Sequence, residues 1–230
     1  MWGKILLFVG FHAATVAGVA LVGVRLEWVA LAVALYVWRV LATTLALHRY
    51  FSHRAFRTSR PVQLLLGLWA NTTLMRGPIA WAQHHRHHHR ESDGPADLHS
   101  PVRRGFLHAH VLWFLSHELA AAPMTRCRDL EKYPELRLLD RLYTLPAYAL
   151  AAGLWAIGGW PWFVWGFLVS TVVTWHAVFL INSGAHAWGT RRYDTGDTSR
   201  NNPLLALLLL GEGWHNNHHA DMHSAWHGRH

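Results

Sequence analysis

Cysteine is almost missing from this chain, with Cys127 the one thiol among 230 residues. That excludes an intrachain disulfide and any thiolate metal cluster, so a metal bound here is held by nitrogen and oxygen. Charge is thin as well, at 15% of residues against 52% hydrophobic, a balance that suits a small membrane bundle better than a soluble domain. The formal net charge is +8, yet no basic stripe with interleaved aromatics accompanies it, which sets nucleic-acid binding aside. No flavin or haem motif is evident.

What the chain has in quantity is histidine, 20 residues in all. In Trp81 to Arg90, WAQHHRHHHR, the residues His85, His88 and His89 stand at i, i+3 and i+4, which on a helix stacks three imidazoles over neighbouring turns. GEGWHNNHH repeats that spacing with His215, His218 and His219. Two further elements are His48 with His53 in HRYFSHR, and Asn182 with His186 in NSGAH. A composition-biased tract that merely solvates a surface or chelates loosely is the plain alternative, but it has no reason to repeat its phase so far along the chain. Within the first cluster His87 points off the shared face and His84 is at most a possible further member.

Apolar runs frame these elements. Ile5 to Val24 carry no charge and are long enough to cross a bilayer, too long for the core of a signal peptide. A second span covers Trp28 to Leu47, its one charge, Arg39, snorkelling or facing the interior. Leu142 to Ile181 lack Lys, Arg, Asp and Glu throughout and are broken by Gly158-Gly159-Trp160-Pro161, which predicts a helical hairpin with an aromatic belt of Trp155, Trp160, Trp162 and Trp165 at its turn. Pro61 to Met75 and Phe106 to Ala122 read as interfacial, and Met124 to Arg141 as a solvated amphipathic segment. The lone histidines His12 and His176 read as packed interior residues, and Cys127 as an incidental loop thiol. Lys and Arg concentrate between His48 and Arg141, which assigns that part to the cytoplasm. The expectation is one domain, residues 1–230: an all-α membrane protein with four transmembrane helices at about 5–24, 28–47, 142–159 and 161–181, and a helical cytoplasmic cap of 48–141 and 182–230 holding a histidine-rich dimetal site.

Nine spaced imidazoles are too many for one ion and about right for two with open positions. Structural zinc wants four closed ligands and usually thiolate, whereas imidazole also suits iron and copper. Asp93, Asp97 and Glu212 are placed as outer partners that orient ligating rings.

The combination HRYFSHR, WAQHHRHHHRESD, NSGAH and GEGWHNNHH, in that order, resembles the integral-membrane fatty acyl desaturases of the Δ9 type, from about Trp28 to Arg229. The resemblance implies two non-haem irons held by His48, His53, His85, His88, His89, His186, His215, His218 and His219, with Asn182 reaching one metal through water. It implies an acyl tunnel lined by Trp81, with Val178 and Phe179 at its bend. Carried over, the activity is O2-dependent desaturation of a saturated long-chain acyl-CoA or acyl-lipid, at Δ9. Electrons come from a separate cytoplasmic-side donor of the ferredoxin or cytochrome type. Gln83 and His84 stand where animal acyl-CoA members carry Arg-Asp against the CoA moiety, while Arg86, Arg90, Arg103 and Arg104 remain for a phosphate headgroup. A histidine-rich membrane hydroxylase shares the ligands but not the NSGAH and GEGWHNNHH elements. A metal transporter or storage protein would put its histidines at mid-membrane.

Overall fold

The computed structural model describes residues 2–117, 119 and 124–229. The end of the expected interfacial segment Phe106 to Ala122 therefore lies partly outside the described residues. Among these the chain is helical, with two isolated bridges, Thr190 to Asn201 and Asn201 to Trp214, as its only extended pairing. The principal helices are α1 (Trp2–Val22), α2 (Leu26–Ser52), α3 (Arg60–Asn71), α4 (Pro78–Glu91), α5 (Pro134–Arg141), α6 (Leu145–His186), α7 (Pro203–Leu208) and α8 (His215–Ala220).

Three of them, α1, α2 and α6, are long and apolar enough to cross a membrane. α1 is apolar along most of its length and has no fully buried residue, packing one side, with Phe8, Phe11 and Val19, on the protein and leaving most of the rest exposed, the pattern of a helix at a lipid-facing edge. α6 folds back on itself at Gly159, whose φ of +63° is one that residues with a Cβ rarely adopt. Its two limbs, 145–158 and 160–186, then pack together, with Gly166 so close to Leu154 that an added Cβ would stand 3.2 Å from a leucine methyl. Trp155 and Trp160 are exposed beside this turn, as a belt requires. Trp165 departs from that expectation: it is buried and donates its indole N–H to the Gly23 carbonyl at 3.1 Å, tying α6 to the turn after α1.

Arg39 faces the interior. It is fully buried, donates to the Phe167 carbonyl at 3.3 Å, Ser170 Oγ at 3.0 Å and Thr171 Oγ1, and lies over the Phe167 ring. A charged donor with three acceptors fixes where α2 crosses α6.

From Ala42 the helix α2 widens into π-helical turns, in which Ser52 Oγ donates five residues back to the Leu47 carbonyl. This has a direct use. His48 and His53 are five residues apart, well past one α-turn, and the widened spiral brings their ring centroids to 4.8 Å.

α3 buries the stripe Gln63, Gly67, Ala70 and Asn71, and the Asn71 amide donates to the Leu139 carbonyl at 2.9 Å. Met124 to Arg141 is amphipathic as expected, with Arg126, Arg128, Lys132, Arg137 and Arg141 on a wet face and its other face turned to the protein. Leu136 and Leu139 of α5 are buried, and one Asp140 oxygen accepts from the backbone N–H groups of Ile79 and Ala80 at 2.9 and 3.1 Å. A carboxylate on the unpaired donors of a helix start satisfies them and complements the helix dipole, so α5 seats α4. Truncating Leu136 to Ala would cost about 2–5 kcal/mol. Cys127, on the loop before the helical turn Arg128–Glu131, is buried in the core.

Candidate metal centre

The nine histidines singled out by spacing come together as two adjoining groups. His48, His53, His85, His89 and His218 form one, and His88, His186, His215 and His219 the other, with the candidate ligand atoms of each group within 4.8 Å of one another. Each sequence triplet is divided. On α4 the i, i+4 pair His85 and His89 enters the five-histidine group while His88 turns to the other; on α8 the pair His215 and His219 joins His88, and His218 crosses back.

In the five-histidine group the Nε2 atoms converge: His53 to His85 2.7 Å, His85 to His89 3.0 Å, His89 to His218 2.9 Å and His218 to His48 3.0 Å. In the other, Nε2 of His186 and His215 are 3.1 Å apart. A run of Nε2 atoms cannot all be hydrogen-bonded when the protons sit on Nδ1. Imidazole nitrogens about 2.1 Å from one ion, at right angles, stand about 3 Å apart, so the spacing fits a coordinated cation.

The protons do sit on Nδ1 wherever a carboxylate is present to receive them. His48 Nδ1 donates to Glu212 at 2.6 Å, His88 to Asp97 at 3.3 Å, His186 to Asp93 at 3.3 Å and His219 to Asp197 at 2.5 Å. A carboxylate on Nδ1 fixes the tautomer and leaves the Nε2 lone pair for the metal. Asp93, Asp97 and Glu212 were legible as outer partners; Asp197 was not, because it comes from the 191–201 loop with no helical spacing to announce it. The loop carboxylates are themselves held. Asp93 accepts from Ser100 Oγ, Thr198 N and Thr198 Oγ1 at 2.5 to 2.7 Å, and Asp197 from Thr195 Oγ1, Ser199 N and Ser199 Oγ.

Burial opposes ionisation of Asp93, Asp97 and Asp197, but hydrogen bonds and histidine neighbours outweigh it and hold all three well below the usual carboxylate range. Burial pushes Glu212 up, opposed by His227 and Arg49, the latter 3.1 Å away. Burial, then the neighbouring imidazoles, push His53, His85, His89, His215 and His218 well below 6.5. Neutral imidazole is the form a metal takes. His219 falls to about 4, burial prevailing over Asp197, while at His88 burial is outweighed by Asp97 and the value rises.

Other residues fell outside the spacing argument. His227 packs tilted against the His218 ring at 4.4 Å, 3.5 Å from Glu212, and His99 packs tilted against His88 at 4.3 Å beside Asp97. A cleft of about 520 Å³, lined by Arg54, Arg86, Arg90, Asp129 and His223 among others, reaches His53 and His89. His87 is buried and turned away, its Nε2 donating to the Ala96 carbonyl, and His84 stacks on Trp113. Asn182 is half-buried on the last turn of α6 and makes no side-chain hydrogen bond among the described residues.

Trp81, Val178 and Phe179 join one apolar cluster, and the Trp81 ring lies nearly parallel to His85 at 6.5 Å. The headgroup arginines are less available than their sequence suggests. Arg86 is spent on Asp129 and on the Phe51 and Ser52 carbonyls, Arg90 on Glu91 and His87, and Arg103 on the Asp93 carbonyl. Gln83 donates to Glu131 at 3.1 Å.

Known proteins are similar to this chain in sequence. The chain is 40% identical over 213 residues to a palmitoyl-monogalactosyldiacylglycerol delta-7 desaturase of Arabidopsis thaliana and 38% identical over 192 residues to an acyl-CoA C20 Delta5-desaturase of Anemone leveillei. These alignments take in 89% and 82% of this chain but 56% and 61% of those proteins, so the chain spans little more than half their length. An sn-1 stearoyl-lipid 9-desaturase of Anabaena variabilis is 36% identical over 231 residues, 99% of this chain and 84% of the relative. The fatty acid desaturase profile matches residues 26–230, which takes in α2 with its π-helical turns, both histidine triplets and the NSGAH element, and by that match the chain belongs to the fatty acid desaturase family.

Proposed function

We propose that this protein desaturates a saturated long-chain fatty acyl substrate at Δ9, using O2, two non-haem irons and electrons from a separate donor. The observation that carries the proposal is the division of nine imidazoles into convergent groups of five and four, backed by carboxylates, beside an apolar cluster containing Trp81, Val178 and Phe179. When bound there, the irons supply the O2-dependent oxidation that removes two hydrogens from adjacent methylenes, with water as co-product. The protein supplies the rest. Its nine histidines are the ligands, with Asn182 acting through water, and Asp93, Asp97, Asp197 and Glu212 keep the Nδ1 protons in place so that each ring presents a lone pair inward.

An alkyl chain offers no polar handle, so only a shaped apolar wall can choose which methylenes face the irons. That is the part assigned to Trp81, Val178 and Phe179. Burial of His48, His88, His186, His215 and His218 limits the access of water to the centre.

We take α1, α2 and the two limbs of α6 as four spans, supported by three helices long and apolar enough to cross a membrane, and put the cap on the cytoplasmic face because Lys and Arg concentrate there. For the acyl carrier, Gln83 and His84 bring no fixed charge, and Gln83 is tied to Glu131. Together with the stearoyl-lipid relative, this favours a lipid-linked C16 to C18 chain over acyl-CoA.

The test is expression in a host without desaturases, followed by fatty-acid analysis and by assays of its membranes with labelled phospholipid and with acyl-CoA. New Δ9 monounsaturated chains formed from phospholipid are expected. Hydroxylated products would overturn the reaction, and strict dependence on CoA would overturn the carrier.

A further inference from the structure

We propose that three histidines outside the metal centre form a hydrogen-bonded ladder that fixes the apolar wall at Phe179 and so sets which carbons of the acyl chain are desaturated. The proposal rests on the desaturase reading above, including the tunnel position of Phe179. The residues are His12 of α1, His176 of α6 and His110 of the helical turn His108–Leu112 between α4 and α5. They share no sequence motif, and His12 and His176 look like isolated packed residues until the fold joins them.

One carbonyl determines the state of the whole ladder. His12 Nδ1 is 2.7 Å from the Phe8 carbonyl, which can only accept, so Nδ1 bears the proton and Nε2 of the neutral ring is an acceptor. His176 Nε2, at 2.9 Å, must then donate to it, which leaves His176 Nδ1 to accept from His110 Nε2 at 3.0 Å. His110 Nδ1 is 3.1 Å from Ser183 Oγ, whose single proton is shared between that nitrogen and the Phe179 carbonyl at 3.0 Å. Both nitrogens of His176 are used in opposite directions, so these rings cannot converge on one ion as the Nε2 atoms of the metal centre do.

The ladder leaves no imidazole N–H unpaired in an apolar layer, where an unpaired one is costly. It follows that removing one rung strands the next. Polar side chains within membrane-spanning helices are themselves a sign of function.

What the ladder holds is Phe179. His176, Phe179 and Ser183 occupy one face of α6 at i, i+3 and i+7, and the Phe179 ring meets His110 edge-on at 5.9 Å, His176 at 5.9 Å and Phe114 at 5.1 Å. Phe179 is buried in the cluster that contains Trp81 and Val178. Its position is therefore set on one side by hydrogen-bonded rings whose tautomers are fixed, not by packing alone. In an oriented reaction a misplacement of about 1 Å can change rate by on the order of 100-fold, so a wall that slackens lets a neighbouring pair of methylenes compete.

The experiment compares wild type with His176→Leu, His110→Leu, His12→Leu and His176→Gln in the desaturase-free host. The positional isomers of the monounsaturated products are resolved by mass spectrometry, and iron per chain is measured on each purified protein. Leucine at any rung is expected to raise the share of minor positional isomers roughly tenfold, the fold-change that corresponds to about 1.4 kcal/mol, while iron content stays at the wild-type level. Glutamine at position 176 keeps a donor and an acceptor and should hold the wild-type pattern. An unchanged isomer pattern in the leucine variants overturns the ladder's role, and so does equal spreading in the glutamine and leucine variants, which would make ring volume the cause. If one leucine variant fails to accumulate, the other two decide. A wild type that makes no monounsaturated product at all overturns the function, and the ladder's role with it.

Discussion

The five-histidine and four-histidine groups are built in different ways. In the four-histidine group three of the rings, His88, His186 and His219, rest on carboxylates that come from loops, Asp97, Asp93 and Asp197. In the five-histidine group only His48 has such a partner among the described residues, Glu212, and the other rings are placed by the elements that carry them. One group has ligands to spare and the other has three of its four braced. Exposure differs too, since the cleft beside Arg54 and Arg90 opens on His53 and His89 of the larger group. Ligand number and outer bracing thus look like alternative means of holding an ion, and that can be tested at each group separately.

The largest effect is expected from removing one ligand. His215→Ala leaves three imidazoles in the smaller group, and His218→Ala leaves four in the larger. Both should abolish turnover. Iron content should fall to about one per chain in His215→Ala and stay closer to two in His218→Ala under the same washing, as ligand number predicts. Metal analysis of the two variants checks this, and equal losses would break the comparison.

Part of each group was legible because helical spacing is a local property. His85 and His89, and His215 and His219, are partners at i, i+4 in the fold as in the sequence. What spacing could not show is that each triplet splits between groups, since that depends on how α4 and α8 cross. His48 and His53 were recognisable as a pair, but the reason they meet, the widening of α2 into π-helical turns, leaves no pattern in HRYFSHR. Asp197 and His227 were invisible because loop and chain-end residues reach the centre through tertiary structure alone. Met124 to Arg141 is amphipathic as its pattern says, with Asp140 the exception for a related reason: it looks like surface charge until its partners, the Ile79 and Ala80 N–H groups, are seen. The long apolar runs and the Gly158-Gly159 break needed no such context.

Next in size is the loss of a carboxylate brace. Asp197→Asn keeps the shape but weakens the acceptor for His219 Nδ1–H, and substitutions of this kind cost on the order of 10- to 100-fold in metal affinity or activity. Glu212→Gln does the same to His48. The former should lie near the upper end of that range and the latter near the lower, because four other imidazoles remain around the ion that His48 helps hold. Competition with a chelator of graded strength measures both affinities. A larger loss from Glu212→Gln would show that bracing matters more than ligand number.

The smallest effect is the pH dependence of the metal-free protein. His85 is pushed well below its ordinary value of 6.5 by burial and by His48, His89, His53 and His88. Folded protein therefore binds fewer protons than unfolded protein below 6.5, so the stability contribution of His85 is present above 6.5 and is lost as pH falls through 6.5 toward its depressed value. His88 has the opposite sign. Burial is outweighed by Asp97, the folded value is raised, and its contribution is present below 6.5 and lost as pH rises through the raised value. Each fully coupled histidine contributes about 1.4 kcal/mol per pH unit, or roughly 3–5 °C of Tm for a chain of this size. In chelator-treated protein, Tm should fall as pH drops from 7.5 to 5.5, because His53, His85, His89, His215 and His218 share one sign and His88 stands against them. Substituting His85→Phe should flatten that slope and His88→Phe should steepen it. Thermal melts of the two variants across this range read the difference, and slopes that move the same way would show that Asp97 does not set the charge of His88 in the folded protein.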